Sequence, residues 1–149
     1  INLNNSLKID FNIYRPKILI SGLNPHAGEN GKIGIEEKKI LIPMVRKLQK
    51  NGIDINGPYS ADSILINNNL GKIDCFIFLY HDQALIPFKF ISKFSGVNYT
   101  SNLNIIRTSP DHGTAYELVG KRNISNKSFI TCYNLINKIF NNRKLNGKT

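Results

Sequence analysis

Two short apolar runs, residues 17–22 (Lys17-Ile18-Leu19-Ile20-Ser21-Gly22) and 75–80 (Cys75-Phe76-Ile77-Phe78-Leu79-Tyr80), constrain this chain more than any other feature. Each is of strand length, and each runs straight into a turn that carries a histidine. Between them, Ile40, Leu41, Met44, Val45 and Leu48 recur with the 3.6-residue period of a helix. Apolar strands alternating with amphipathic helices give an α/β fold, in which strand ends deliver side chains into a crevice at the edge of the sheet. His26 and His81 stand at that edge, both close to carboxylates.

The rest of the chain fits the same alternation. A weak apolar period through Leu3, Leu7 and Phe11 predicts an entering helix. The helix opened by Glu36 and Glu37, whose charges suit its N-terminus, closes at Asn51-Gly52 and is kinked by Pro43. Residues 53–55 read as a brief strand, Asn56-Gly57-Pro58 as a turn, and Ser60-Ala61-Asp62 as the cap of a helix running to about Leu70. Strands are predicted over 97–100 and 105–108. Asp111-His112-Gly113-Thr114-Ala115 leads into a short helix ending near Gly120. Phe129, Cys132, Tyr133, Ile136, Ile139 and Phe140 mark a final amphipathic helix, and 141–149 is a polar tail. No internal repeat or linker interrupts residues 1–149, which read as a single α/β unit.

Composition excludes several classes. The 149 residues are enough for one ordinary core, and 41% hydrophobic with 20% charged residues describes a globular chain. No apolar run approaches the length of a membrane span, and no secretory signal opens the sequence, so a cytoplasmic protein is expected. Cys75 and Cys132 form no metal or redox spacing and read as reduced core residues. The net charge of +10 invites a nucleic-acid partner. However, its lysines are scattered and no groove-reading module accompanies them, so neither nucleic acid nor membrane is an expected partner.

The candidate chemistry gathers on a few residues. Neutral imidazole suits zinc and other divalent metals, and a carboxylate such as Asp82 can orient the ring of His81. Gly22, Gly28, Gly31 and Gly34 let the His26 loop fold closely around a ligand. A catalytic zinc takes three protein ligands. Two are visible, and the third is missing, is His112, or comes from elsewhere. Lys89 and Arg107 are cations suited to an anionic substrate, Arg107 through its planar fork or else as a surface charge. The apolar run before Arg107 predicts a buried base. Asn98 either donates to a polar ligand or holds a turn. The Asp111 to Ala115 turn offers free backbone N–H groups to a phosphate or nucleotide.

Taken in order, Gly22-Leu23-Asn24-Pro25-His26-Ala27-Gly28-Glu29, Glu36-Glu37, Asn56-Gly57-Pro58, Ala61-Asp62, Tyr80-His81-Asp82-Gln83, Ile86-Pro87-Phe88-Lys89, Gly96-Val97-Asn98, Ile106-Arg107-Thr108 and Asp111-His112-Gly113-Thr114-Ala115 resemble the 4-hydroxythreonine-4-phosphate dehydrogenase family. The resemblance covers nearly all of residues 15–140 and corresponds to the C-terminal half of the family chain. It implies an α/β/α layered fold like that of isocitrate and isopropylmalate dehydrogenases, present in part, and a homodimer with active sites at the subunit interface. It implies oxidation of 4-phosphohydroxy-L-threonine with decarboxylation to 3-amino-2-oxopropyl phosphate, in pyridoxal phosphate (vitamin B6) biosynthesis.

Metal ligation by His26 and His81 is implied, with zinc, magnesium or cobalt as the divalent ion. Lys89, Asn98 and Arg107 are implied to hold the phosphorylated substrate, with Asp82 and Lys89 as catalytic candidates. His112, Gly113, Thr114 and Ala115 are implied to contact NAD. The third metal histidine and part of the phosphate-binding surface are expected from the N-terminal half, which the sequence, opening at Ile1, does not contain. That half is expected as a separate chain if it exists apart. Rival readings keep the fold but oxidise threonate or erythronate phosphate, or lose activity in a split remnant. Ala84 stands for a common family glycine, and Ser101-Asn102-Leu103-Asn104 for a Gly/Pro-containing turn.

Overall fold

The computed structural model describes residues 1–66, 70–93, 95–111, 116, 119–121 and 124–147. Their backbone contacts fall into two compact units, one of Ile1 with Ile13–Ile86 and one of Asn2–Asn12 with Pro87–Thr149. No helix among the described residues is long and apolar enough to cross a membrane.

The first unit is built on strand β1 (Ile18–Ser21), every residue of which is buried. It is the middle of a three-stranded parallel sheet, flanked by β2 (Ile55–Tyr59) and β3 (Cys75–Ile77) in the order β2-β1-β3. A strand paired on both sides and buried on both faces must be apolar throughout, which is why Ile18, Leu19 and Ile20 form an unbroken run. The crossover from β1 to β2 contains helix α2 (Ile42–Lys50), preceded by a π-helical turn over Glu37–Leu41. Pro43 lies in the first turn of α2, so the break expected there takes the form of a change of helix type. Leu41, Val45, Ile55 and Ile64 pack with β1 as the core.

Sequence and structure differ at three places in this unit. The Asn56-Gly57-Pro58 stretch is part of β2 rather than a turn, and the β1–β2 register shifts between Leu19 and Ser21 to accommodate it. Residues 61–66 form turns, not a helix, with Ser60 O accepting from the N–H groups of Ser63 and Ile64. The run at Cys75 pairs only as far as Ile77, and its strand is half-buried.

The second unit pairs β4 (Val97–Thr100) with β5 (Arg107–Pro110) as an antiparallel hairpin, against which α4 (Lys127–Leu145) packs. Strand β5 begins two residues later than its apolar run predicts. Asn102 in the connecting turn takes φ 61°, a left-handed conformation that asparagine tolerates better than most residues. Helix α4 buries Ser128, Cys132, Ile139 and Asn142, and continues through residues 141–145 where a tail was expected. Asn142 explains the extension, since its Nδ2 donates to the backbone carbonyl of Asp10 at 2.7 Å. Helix α1 (Asn2–Ile9) leads to Asp10, whose carboxylate accepts from Arg143 Nε at 2.7 Å and from the Tyr99 hydroxyl. Phe11, outside the helix, meets Tyr99 edge to face.

Helix α3 (His81–Ser92), which the apolar run through Pro87 conceals in the sequence, crosses the boundary between the two units and buries none of its residues.

Candidate functional site

In a sheet of order β2-β1-β3 the chain passes from β1 to β2 on one side and then to β3 on the other, so the strand order reverses between β1 and β3 and a crevice is expected beyond their carboxyl ends. The last rung between them is Ile20 with Ile77. His26 follows β1 and His81 follows β3, so both histidines leave the sheet at the same end. Both are exposed.

The two reach that end by different routes. His81 opens α3, and its Nδ1 lies 2.8 Å from Asp82 Oδ1. An ionised carboxylate only accepts, so this contact has Nδ1 as the donor, the arrangement that leaves Nε2 of a neutral ring as the ligating nitrogen. His26 lies instead in a segment, Pro25–Gly31, wound with left-handed backbone: φ is 51° at His26, 53° at Ala27, 78° at Gly28, 43° at Glu29 and 58° at Asn30. Each non-glycine residue so placed costs roughly 1–2 kcal/mol, a strain that only strong local anchoring sustains.

Glu37 is the anchor. It is 2% exposed, yet among the described residues its carboxylate forms no ion pair. Oε1 accepts from the N–H groups of Leu23 (2.8 Å) and Asn24 (2.7 Å), and Oε2 accepts from Asn24 Nδ2 (2.9 Å). Glu36 holds the same amide at 2.6 Å. Two glycines make room for this clamp. A Cβ on Gly28 would stand 2.5 Å from Glu37 Oε2, and one on Gly34, where φ is 125°, would stand 2.3 Å from Asn24 Nδ2.

Burial alone would raise the Glu37 pKa, but hydrogen bonds from the backbone and side chain of Asn24, from its own N–H and from Leu23 outweigh it. The carboxyl therefore lies below its ordinary 4.5. A depressed carboxyl stabilises the fold above that value and ceases to as pH falls through the lower native one. Acid titration followed at the Leu23 and Asn24 amides is expected to show the loop releasing in that window. Glu37→Gln turns an NH2 group toward Asn24 Nδ2, and is expected to abolish the acid step and cost about 1.5–3 kcal/mol in urea unfolding.

The two loops are joined by Gln83, in the first turn of α3. Its Nε2 donates to Gly22 O at 2.9 Å, and its Oε1 accepts from Ser21 Oγ at 2.9 Å and from Leu79 N at 3.1 Å.

The other candidates lie in the second unit or outside the described residues. Asn98 is opposite Ser109, and Thr100 is opposite Arg107. Opposed residues and those two apart share a face, so Asn98 and Arg107 stand diagonally on one side of the hairpin. The Arg107 base is exposed, not buried as expected, because it begins β5 rather than ending a run; its Nη1 donates to Thr100 Oγ1 at 2.9 Å. Lys89 is exposed and lies 3.9 Å from Asp111 Oδ2. His112, Gly113, Thr114 and Ala115 lie outside the described residues.

Among the described residues no group of three or more His, Cys, Asp or Glu gathers to hold a metal. The donor set of His26 and His81, with Asp82 behind one ring, fits two ligands of a three-ligand site. Reading residues by type missed the roles of Glu37 and Gln83. Glu37 looked like a helix-dipole charge, and Gln83 carried no signal beyond its place beside His81.

Comparison with known proteins now bears on this geometry. Residues 1–136 match the family described as "Pyridoxal phosphate biosynthetic protein PdxA". A 4-hydroxythreonine-4-phosphate dehydrogenase of Bacteroides thetaiotaomicron is 44% identical over 138 residues, which are 93% of this chain and 38% of that protein. The crystal structure of a 4-hydroxythreonine-4-phosphate dehydrogenase from Klebsiella pneumoniae superposes with a TM-score of 0.77 at 35% identity, over 92% of this chain and 41% of its own. A terephthalate 1,2-cis-dihydrodioldehydrogenase from Burkholderia xenovorans superposes at 0.70 with 28% identity, over 92% of this chain and 43% of its own. The expected dehydrogenase-like α/β fold is borne out in part-length form, for the chain spans only about two fifths of these relatives.

Proposed function

The chain belongs to the family of the pyridoxal phosphate biosynthetic protein PdxA, and on that premise we propose that it forms the metal-binding portion of a cytoplasmic 4-hydroxythreonine-4-phosphate dehydrogenase. The reaction is oxidation of 4-phosphohydroxy-L-threonine, with NAD as oxidant, and decarboxylation to 3-amino-2-oxopropyl phosphate. The observation that carries this reading is the placement of His26 and His81 at adjoining strand ends, braced by one shared glutamine. When bound, a divalent cation such as zinc, magnesium or cobalt would supply Lewis-acid polarisation of the substrate hydroxyl, and NAD would supply the hydride acceptor.

This chain's own residues then have distinct tasks. His26 and His81 offer neutral nitrogens to the cation, and Asp82 holds the His81 ring so that Nε2 is left as the ligating nitrogen. Arg107 offers a planar fork, and Asn98 on the same hairpin face an amide, to the substrate phosphate. Lys89 adds a point charge. The turn at residues 112–115 is assigned to NAD on family likeness. The third metal ligand and the remaining phosphate contacts are assigned to the N-terminal half, and a homodimer is assigned on the same likeness. The exposed Phe129, Tyr133 and Phe140 of α4 support burial of this helix against further protein.

The likeness to a dihydrodiol dehydrogenase favours a second reading, in which the same scaffold oxidises another hydroxy substrate. The test combines this chain with the N-terminal half of a family member, NAD and zinc, and follows NADH. With 4-phosphohydroxy-L-threonine, NADH is expected from the mixture and not from this chain alone. Preference for threonate or erythronate phosphate would select the second reading, and turnover by this chain alone would contradict the assignment of a missing ligand.

A further inference from the structure

We propose that Gln83 is a positioning residue that fixes the separation of the His26 and His81 loops and thereby tunes the affinity of the divalent metal; this rests on the metal reading above. The pairing of β1 with β3 ends at the rung of Ile20 with Ile77, and nothing in a parallel ladder dictates the spacing of the loops that follow. Gln83 supplies that spacing. Its amide bridges the two chains as a peptide group would, donating to Gly22 O of one and accepting from Leu79 N of the other. The amide's orientation is set by these two partners, since the Leu79 N–H can only donate and the Gly22 carbonyl can only accept, and the fully buried Ser21 Oγ adds a third bond to the same oxygen.

The two histidines are each a short distance in sequence from this brace. Gly22 leads to the loop that Glu37 grips at Leu23 and Asn24 and that carries His26. Leu79 precedes His81, and Gln83 itself shares the first turn of α3 with it. A displacement at Gly22 or Leu79 is therefore carried to an imidazole. Metal–nitrogen bonds tolerate only about 0.2 Å, so a spacing error of that size lowers affinity.

The side-chain type is also specified. Glutamate keeps both acceptances but sets a second oxygen against the Gly22 carbonyl. Methionine keeps the volume and loses all three hydrogen bonds. The experiment measures Co2+ affinity and the cobalt visible spectrum in the intact protein for wild type, Gln83→Met, Gln83→Glu, His26→Ala and His81→Ala. Amide exchange of each metal-free protein is followed at Leu79 and Leu23. Both Gln83 variants are expected to weaken Co2+ binding by about 10–100-fold and to change the cobalt spectrum. Faster exchange at Leu79 is expected in Gln83→Met with the global melt retained; the changed cobalt spectrum is the readout that a purely structural residue would not move.

If the histidine variants lose cobalt while both Gln83 variants keep wild-type affinity and spectrum, the proposal is overturned. If the histidine variants bind cobalt as wild type does, the metal reading itself fails. In that case unchanged Leu79 exchange in Gln83→Met removes the brace as well. Should Gln83→Met fail to fold, Gln83→Glu, which loses only the Gly22 bond, carries the test.

Discussion

Replacing either His26 or His81 with alanine is expected to empty the proposed metal site and to abolish turnover by the mixture of this chain with an N-terminal half. Each imidazole is one of the two ligands proposed for this chain, and among the described residues no group of three or more His, Cys, Asp or Glu could make up for its loss. Removing an outer partner such as Asp82 weakens a metal site by about 10–100-fold. Removing a direct ligand is expected to do more, because the remaining donors no longer enclose the ion. Metal content after dialysis, read by elemental analysis beside NADH formation, makes the comparison. Asp82→Asn should retain part of its metal where His81→Ala retains none. Full metal occupancy and normal turnover in either histidine variant would refute the site.

The second large effect concerns stability. Asp10 is 4% exposed at its side chain and Arg143 13%, so their ion pair lies largely out of water. Asp10→Ala would leave the guanidinium buried without its counterion and the Tyr99 hydroxyl without its acceptor. Breaking such a pair from one side is expected to cost about 3–5 kcal/mol. Denaturant unfolding, read by a probe in the hairpin, measures the loss.

Tyr99 gives an independent signature. Burial first, and then the hydrogen bond and charge of Asp10, push its phenol from 10.0 up to about 12. A raised phenol stabilises the native state below its ordinary value and ceases to do so as pH rises through the native one. Stability is therefore expected to fall between pH 10 and about 12, with the phenolate absorbance rising in step. Asp10→Asn should move that titration downward. An unmoved titration would mean that Asp10 does not set the Tyr99 environment.

Legibility in the sequence followed locality. Strand β1 and helix α4 could be read because their signals are carried by neighbours in the chain, as an apolar run or a helical period. Helix α3 could not, since no face is buried to impose a period and Pro87 interrupts it. The Asn56-Gly57-Pro58 stretch has turn composition, but pairing with β1 overrides it. The positions of His26 and His81 were legible because each follows a strand directly. What holds them was not: Glu37 reaches back to Leu23 across 14 residues, and Gln83 to Gly22 across 61. A carboxylate that serves as a backbone acceptor and an amide that extends a sheet leave no periodic trace. The Lys89 to Asp111 contact and the left-handed winding around His26 were likewise invisible without coordinates.

The clasp between Asp10 and Arg143 has a temporal consequence as well. These residues are 133 positions apart, and Asn142 reaches the same Asp10 backbone across 132. During vectorial synthesis, α1 leaves the ribosome long before its partner exists, whereas the strands of the first unit emerge together with most of their contacts. The first unit can therefore form while translation continues, but Asp10 gains its Arg143 and Asn142 partners only once the last helix is made. Such late, distant closure is entropically slow, so nascent chains halted before α4 should expose the α1 segment to chaperones and proteases.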